Sequence, residues 1–183
     1  GVQTCALPIY LVSLLANCRN ESSKVVNAAI SQALNALKIF IDEASESETE
    51  FKSFVDQLFN AQYKRLGWDK IPGESVNDEQ LRVLPISWEV YAEDADALAK
   101  ASEMFEAHNS DIHSIPADIR QVVLKNQIVK KESDALIKQY IDAYAKTTDQ
   151  TFQRELNVAL SSTKNMATVA YIIKQYHNTE LVK

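Results

Sequence analysis

The chain has 183 residues, in which 19 Lys and Arg oppose 25 Asp and Glu to give a net charge of −6. This acidic balance argues against a protein that binds a nucleic-acid backbone, because such proteins need a basic face. Only three Gly residues occur, and the sequence contains neither of the glycine-rich phosphate loops G-x-G-x-x-G and G-x-x-x-x-G-K-[ST]. Scarce Gly and Pro predict a mostly helical chain with few breaks.

The first nine residues, GVQTCALPI, differ from everything that follows. They carry no charge and show no helical or strand period. They also lack the basic start and the unbroken apolar run of a secretory signal. We interpret Gly1–Ile9 as translated sequencing-library adapter, with an ordinary N-terminal loop as the alternative. On the first interpretation, residues 10–183 are part of a longer protein.

Cysteine use favours a reducing compartment. Cys5 lies in the suspect segment, which leaves Cys18 alone, and no disulfide framework can be built from one Cys. No apolar stretch approaches the roughly 20 residues of a membrane span. We therefore expect a cytoplasmic protein with no membrane partner.

The rest of the chain shows helical periodicity. Apolar residues step by four and three along one predicted helix face: Val26, Ile30, Leu34, Leu37 and Ile41. A second stripe runs from Phe51 to Leu66, after a predicted capping box of Ser47 and Glu50. Gly67 is expected to end that helix.

The next helix is predicted to begin at Asn77, after a loop that turns at Pro72-Gly73. Pro85 lies inside this helix and predicts either a kink or two short helices. Pro116 suits the first position of a later helix, because its missing N–H would be unpaired there. Another stripe is formed by Leu136, Ile137, Tyr140, Ile141 and Tyr144. The predicted fold is all-α, a superhelix of antiparallel helix pairs in the manner of a HEAT-like solenoid, with a globular bundle as the alternative.

The residue types that carry chemistry form no recognisable catalytic pattern. His108 and His113 flank Asp111, but their spacing matches no zinc-ligand pattern, and we interpret them as a helix-end His and a surface His. Cys18 has no His near it in the sequence. Glu46, Glu48 and Glu50 are interpreted as a solvated acidic loop; together these residues indicate an accessory or interaction module.

One stretch is more specific, the segment YKRLGWDKIPGESVNDEQLR. It resembles a segment of the C-terminal helical domain of zinc aminopeptidases of the aminopeptidase N type, especially those of lactic-acid bacteria. The residues that carry this resemblance are Leu66, Gly67, Trp68, Pro72, Gly73, Glu74, Ser75, Leu81 and Arg82. IPADIRQVVLKN, DAYAKTTDQTFQRELNVALSST and LVSLLANCRNE resemble other family segments in the same order, so the resemblance covers most of residues 10–183.

The resemblance implies a parent enzyme that removes N-terminal residues from peptides with the help of zinc. The family's H-E-x-x-H and G-x-M-E-N motifs are absent from this sequence, so we expect no catalytic residue, metal or cofactor in this chain and no peptidase activity from it alone. The implied partners are the peptide substrate and the catalytic domain of the same protein. The segment would cap the active-site cavity and help to hold the peptide.

Arg82 is the one candidate substrate-binding residue, since its planar guanidinium could bind a peptide carboxylate. The alternative is a structural ion pair with Asp78, Glu79 or Glu74. A second functional hypothesis is a helical-repeat scaffold that binds a protein partner and has no enzymatic role.

Overall fold

The computed structural model describes residues 10–177, so Gly1–Ile9, including Cys5, and residues 178–183 lie outside the described residues. Helix α1 covers residues 10–15 and runs into a 3-10 turn at Ala16–Cys18. The helices that follow are α2 (Lys24–Lys38), α3 (Glu46–Leu66), α4 (Val76–Leu81), α5 (Val83–Ala92), α6 (Ala95–Ala107), α7 (Ala117–Lys131), α8 (Asp134–Lys146), α9 (Gln150–Leu160) and α10 (Met166–Tyr176), with a second 3-10 turn at Ile112–Ser114.

The all-α prediction is confirmed, because residues 10–177 contain helices, turns and bends but no strand. The chain divides into two compact units, and the division falls between Ala97 and Leu98 within α6. The HEAT-like arrangement and a single domain over residues 10–183 stay predictions. Within residues 10–177, no helix has both the length and the apolar character needed to cross a lipid bilayer.

Unit 1 is built around the packing of α3 against α5. The Phe51 ring contacts Tyr91 at 6.1 Å, and the Phe59 ring stacks on Trp88 at 6.0 Å between centroids. Since the start of α3 lies beside the end of α5, the two helices run antiparallel. The buried cluster between them also takes in part of the predicted inward face of α2, namely Ile30, Leu34 and Leu37. Leu15 of α1 and Val55 and Leu58 of α3 complete it.

Proline and arginine divide one predicted helix into two. Helix α4 ends at Leu81, Arg82 lies at the junction, and α5 begins at Val83. Pro85 is at the third position of α5, where its ring and its missing N–H interrupt the hydrogen bonding that would otherwise continue from α4. The prediction of two short helices is therefore confirmed.

Two predicted helix starts are wrong by two residues. Ser45, not Ser47, caps α3, and its side chain accepts the backbone N–H of Glu48 at 3.1 Å. Ser75, not Asn77, caps α4 by accepting the N–H of Asp78 at 3.1 Å. At each helix start two residues two positions apart can serve as the N-cap, and the earlier one is used, which makes the helix longer.

The earlier start of α3 also corrects the interpretation of its acidic residues. Glu46 and Glu48 lie in the first helical turn, where negative charge is favourable to the helix dipole. Glu50 follows them within α3. The three residues are therefore helical, not part of a loop.

Unit 2 buries the predicted stripe of α8 except for Tyr144, which is half-buried. Tyr140 is fully enclosed, and its hydroxyl donates to the carbonyl oxygen of Leu124 on α7 at 3.1 Å. Phe105 of α6 contacts the Tyr140 ring at 6.4 Å between centroids. Pro116 precedes the helix by one residue, as the N-cap of α7. Tyr140, a member of the predicted stripe, therefore packs in the core of unit 2.

Candidate functional site

Arg82 lies at the centre of the most specific sequence motif, and its side chain is 1% exposed. The guanidinium donates to the carbonyl oxygens of Leu66 and Gly67 and to the carboxylate of Glu74. These partners belong to the end of α3 and to the loop that follows it. Arg82 therefore holds the loop between α3 and α4 against the helix junction.

The same loop is held at a second point. Gly67 has φ +61°, a conformation that a residue with a side chain rarely adopts. Trp68, next in the chain, is buried, and its indole N–H donates to the Tyr63 hydroxyl at 3.0 Å. That hydroxyl in turn donates to Asp96 at 2.6 Å. The motif residues thus form one connected structural unit.

Two functions were considered for Arg82, a structural ion pair and a contact with a peptide carboxylate. The ion pair with Glu74, one of the alternatives, is present. Asp78 instead pairs with Arg65 at 2.7 Å, and Glu79 pairs with Lys70 at 2.6 Å. A contact between Arg82 and a peptide substrate stays a prediction.

The predicted surface histidine lies at an open groove in unit 2. His113 Nε2 is 3.0 Å from a carboxylate oxygen of Asp149, and its ring lies 4.5 Å from the Phe152 ring. Asp149 caps α9 by accepting the backbone N–H of Thr151 at 2.9 Å. The hydrogen bond from His113 and those from the helix backbone hold the pKa of Asp149 below its ordinary value.

The groove beside His113 has a volume of about 650 Å³. Its walls carry both charges and an aromatic face, from Asp111, Lys138, Asp142, Lys146 and Phe152. Such a surface offers hydrogen-bond donors and acceptors to an extended polar chain. His108, the other candidate ligand, bonds through Nδ1 to the carbonyl oxygen of Met104 at 2.9 Å, as a helix-end histidine does.

A buried ion pair joins α7 to α9 in unit 2. Arg120 and Glu155 are 6% and 5% exposed, and their side chains meet at 3.2 Å. Arg120 also donates to the carbonyl oxygen of Ile115 at 3.0 Å and lies over the Phe152 ring. Burial raises the pKa of Glu155, and the charge of Arg120 opposes that rise.

Three carboxylates converge in unit 1, and sequence reasoning missed them. Asp56 of α3, Glu89 of α5 and Asp94 each offer an oxygen, and these atoms lie within 4.8 Å of one another. Burial of Glu89, followed by repulsion from Asp56 and Asp94, raises the pKa of Glu89 to about 8. The only sequence signal was an acidic residue inside the apolar run VLPISWEVYA.

His108 and His113 do not come together as a zinc site. His113 and His108 lie in different contacts, one with Asp149 and the other with the α6 backbone. The carboxylate group offers only oxygen ligands, whereas zinc sites in proteins are built largely from His and Cys. The expectation that this chain holds no zinc stays a prediction.

Comparison with known proteins agrees with the sequence resemblance. The profile of the ERAP1-like C-terminal domain family matches residues 8–182. Aminopeptidase N of Lactococcus lactis subsp. lactis (strain IL1403) is 44% identical over 173 residues, which cover 94% of this chain and 20% of the relative. Aminopeptidase N of Lactobacillus helveticus is 34% identical over 164 residues, 90% of this chain and 19% of the relative.

Aminopeptidase N of Lactobacillus delbrueckii subsp. lactis is more distant, with 30% identity over 173 residues. The chain spans about a fifth of the length of these relatives. The match to the family profile extends through both compact units. This chain therefore belongs to the ERAP1-like C-terminal domain family.

Proposed function

We propose that this chain is the non-catalytic helical part of a zinc-dependent cytoplasmic aminopeptidase that removes N-terminal residues from peptides. The observation that carries the proposal is the 44% identity to a lactococcal aminopeptidase N over 94% of the chain. In this proposal the helical part covers the active-site cavity and contacts the downstream part of the peptide. Zinc and the catalytic groups belong to the remainder of the protein.

Within this chain, the groove beside His113 is the surface best suited to a peptide. It combines an imidazole that is about half exposed with charged side chains and the Phe152 ring. A peptide backbone needs both donors and acceptors, and these side chains supply them. Arg82 is less suited to direct contact, since its guanidinium is buried and its two terminal nitrogens already donate to three protein acceptors.

The proposal is tested by exchange into a relative. The matched 173-residue segment of the lactococcal aminopeptidase N would be replaced by this chain, and hydrolysis of a chromogenic amino-acyl substrate would be measured beside that of a longer peptide. The chimera should retain activity that a deletion of the segment loses. A chimera that folds, judged by its thermal unfolding, yet is as inactive as the deletion would contradict the proposal and favour a protein-binding scaffold.

The role of the groove has its own test in the same chimera. His113→Ala should raise KM for the longer peptide and leave the chromogenic substrate unchanged, because only the longer chain reaches the groove. Glu103→Gln, an exposed change on α6 outside the groove lining, is the matched control. Equal effects of His113→Ala on both substrates would remove the groove from the proposal.

A further inference from the structure

The three carboxylates of unit 1 are brought together by two separate features of the fold. Antiparallel packing of α3 and α5 places Asp56 opposite Glu89. Asp56 lies three residues before Phe59, and Glu89 follows Trp88, the ring on which Phe59 stacks. The turn after α5 then returns Asp94 to the same place, where its backbone N–H donates to the carbonyl oxygen of Glu89 at 3.0 Å. Residues that are 33 and 5 positions apart in sequence thus meet at one point.

Two members of the group are oriented by neutral donors. Asn60 donates its side-chain N–H to Asp56 Oδ1 at 2.8 Å. The backbone N–H of Ala97 donates to Asp94 Oδ1 at 2.9 Å. Each bond fixes one carboxylate oxygen and leaves the other available to a ligand.

Glu89 is the unusual member. Its side chain is 0% exposed, and neither of its carboxylate oxygens makes a well-formed hydrogen bond within the described residues. The neutral Asn60 side chain lies near enough to favour the charged form of Glu89, but it brings no positive charge. A buried polar group without a partner costs free energy, and a buried carboxylate costs more unless something compensates its charge. The charged groups that act on Glu89 are two further acids, Asp56 and Asp94. No positive charge among the groups that act on Glu89 compensates these carboxylates, and a bound cation would supply one.

We infer that Asp56, Glu89 and Asp94 form a binding site for a divalent cation with oxygen ligands, of the calcium type. A Ca²⁺ ion holds its oxygen ligands at about 2.3–2.6 Å, so ligands on opposite sides of it are about 4.6–5.2 Å apart. The carboxylate oxygens here are within 4.8 Å of one another, so they are close enough together to share one cation of that size. Carboxylate oxygens prefer hard cations such as Ca²⁺ and Mg²⁺ to zinc.

The surroundings allow the ion to enter and to complete its coordination. Asp56 and Asp94 are half-buried, so solvent reaches the outer side of the group, while Glu89 closes the inner side. Water would supply the remaining ligands. The ion would bridge α3 to the end of α5 and thereby stabilise the pairing of these two helices.

The site is tested on the whole chain, with CaCl₂ as the probe and MgCl₂ for comparison. After removal of metals with a chelator, calcium binding is measured by calorimetry at pH 8, and thermal unfolding is recorded with and without the salt. Unmodified protein should bind one Ca²⁺ with a dissociation constant of roughly 10⁻⁵–10⁻³ M and unfold at a higher temperature when it is bound. This readout does not depend on peptidase activity.

Three variants make the result specific. Glu89→Gln and Asp56→Asn should each weaken calcium binding by roughly tenfold or more, because each removes a charged ligand. Glu103→Gln removes the same charge from an exposed position and should bind as the unmodified chain does. The proposal is overturned if the unmodified chain binds no calcium at millimolar concentration, or if all three variants bind equally. A third outcome also overturns the proposal: Glu89→Gln stabilises the chain but calcium does not. The site would then hold a proton and not a cation.

Discussion

Glu89 in unit 1 and Glu155 in unit 2 are both buried, but the charged groups around them have opposite signs. Glu155 meets Arg120 at 3.2 Å, and that arginine also donates to the carbonyl oxygen of Ile115. Glu89 meets Asp56 and Asp94, and the donor side chain that acts on it is the neutral Asn60 and not a cation. A buried charge is tolerated when it is paired, so Glu155 fits a structural role, whereas Glu89 needs a proton or a cation.

The chain contains two kinds of buried charged group, arginines with protein acceptors and a cluster of carboxylates. Arg82 resembles Arg120, since both are buried and both hold backbone carbonyls together with a glutamate. Such arginines fix local geometry. The carboxylates around Glu89 are instead a site whose chemistry is incomplete without a ligand.

The largest effect is expected from loss of the positive partner in unit 2. Arg120→Met leaves Glu155 buried without compensation, and it should lower the free energy of unfolding by about 3–5 kcal/mol. The measurement is unfolding in urea at pH 7. The double variant Arg120→Met with Glu155→Leu should recover much of the loss, since two apolar side chains need no pairing. A loss below about 1 kcal/mol in the single variant would show that the pair contributes little.

A change of the opposite sign is expected in unit 1. The folded state raises the pKa of Glu89 from 4.5 to about 8, so between these values it binds a proton that the unfolded chain releases. Stability associated with this group is therefore complete below about pH 4.5 and is lost as the pH rises to about 8. Glu89→Gln keeps the neutral form and should be more stable than the unmodified chain by roughly 2–4 kcal/mol at pH 9.

The control for this prediction is the low-pH limit. The two proteins should have similar stability near pH 4, where Glu89 is protonated in both the folded and the unfolded chain. Unfolding is measured in a chelating buffer, so that no cation compensates the charge. If the difference between the proteins did not change from pH 4 to pH 9, the raised pKa would be contradicted.

The smallest effects are expected at helix caps, where the two units should behave alike. Ser45 in unit 1 and Ser133 in unit 2 each accept a backbone N–H at the start of a helix. Ser45→Ala and Ser133→Ala should each cost about 1 kcal/mol. Ser47→Ala is the matched control for Ser45, since Ser47 is exposed and inside α3, and it should cost less than about 0.5 kcal/mol. A larger cost for Ser47 would move the start of α3 back to the predicted position.

The exact residue at which a helix begins could not be predicted from the sequence pattern alone. Apolar spacing predicted the helices themselves, and Gly67 correctly marked the end of α3, because local geometry controls both features. Ser45 and Ser47 each have a glutamate three residues later, so the short pattern could not choose between them. The choice depends on how far the helix extends toward the loop.

The carboxylate site was beyond sequence reasoning for a different reason. Asp56 and Glu89 come together only because α3 and α5 pack antiparallel in a defined register, which the Phe59–Trp88 stack reflects. No local spacing rule contains that register. Glu89 in an apolar run was a visible signal, but its partners were not. For Arg82, the sequence offered Glu74 among three candidate acids, and only the course of the loop identifies it.

The most direct test of the contrast between the two glutamates is a site-resolved titration. Carboxyl carbon resonances of Glu89 and Glu155 would be followed by NMR from pH 3 to pH 10, first in metal-free buffer and then with calcium. We expect Glu89 to titrate near pH 8 without calcium and at a lower pH with it, while calcium leaves Glu155 unchanged. If Glu89 titrated in the ordinary range of a glutamate, near pH 4, and did not respond to calcium, it would not be an uncompensated buried carboxylate and the contrast between the two units would be wrong.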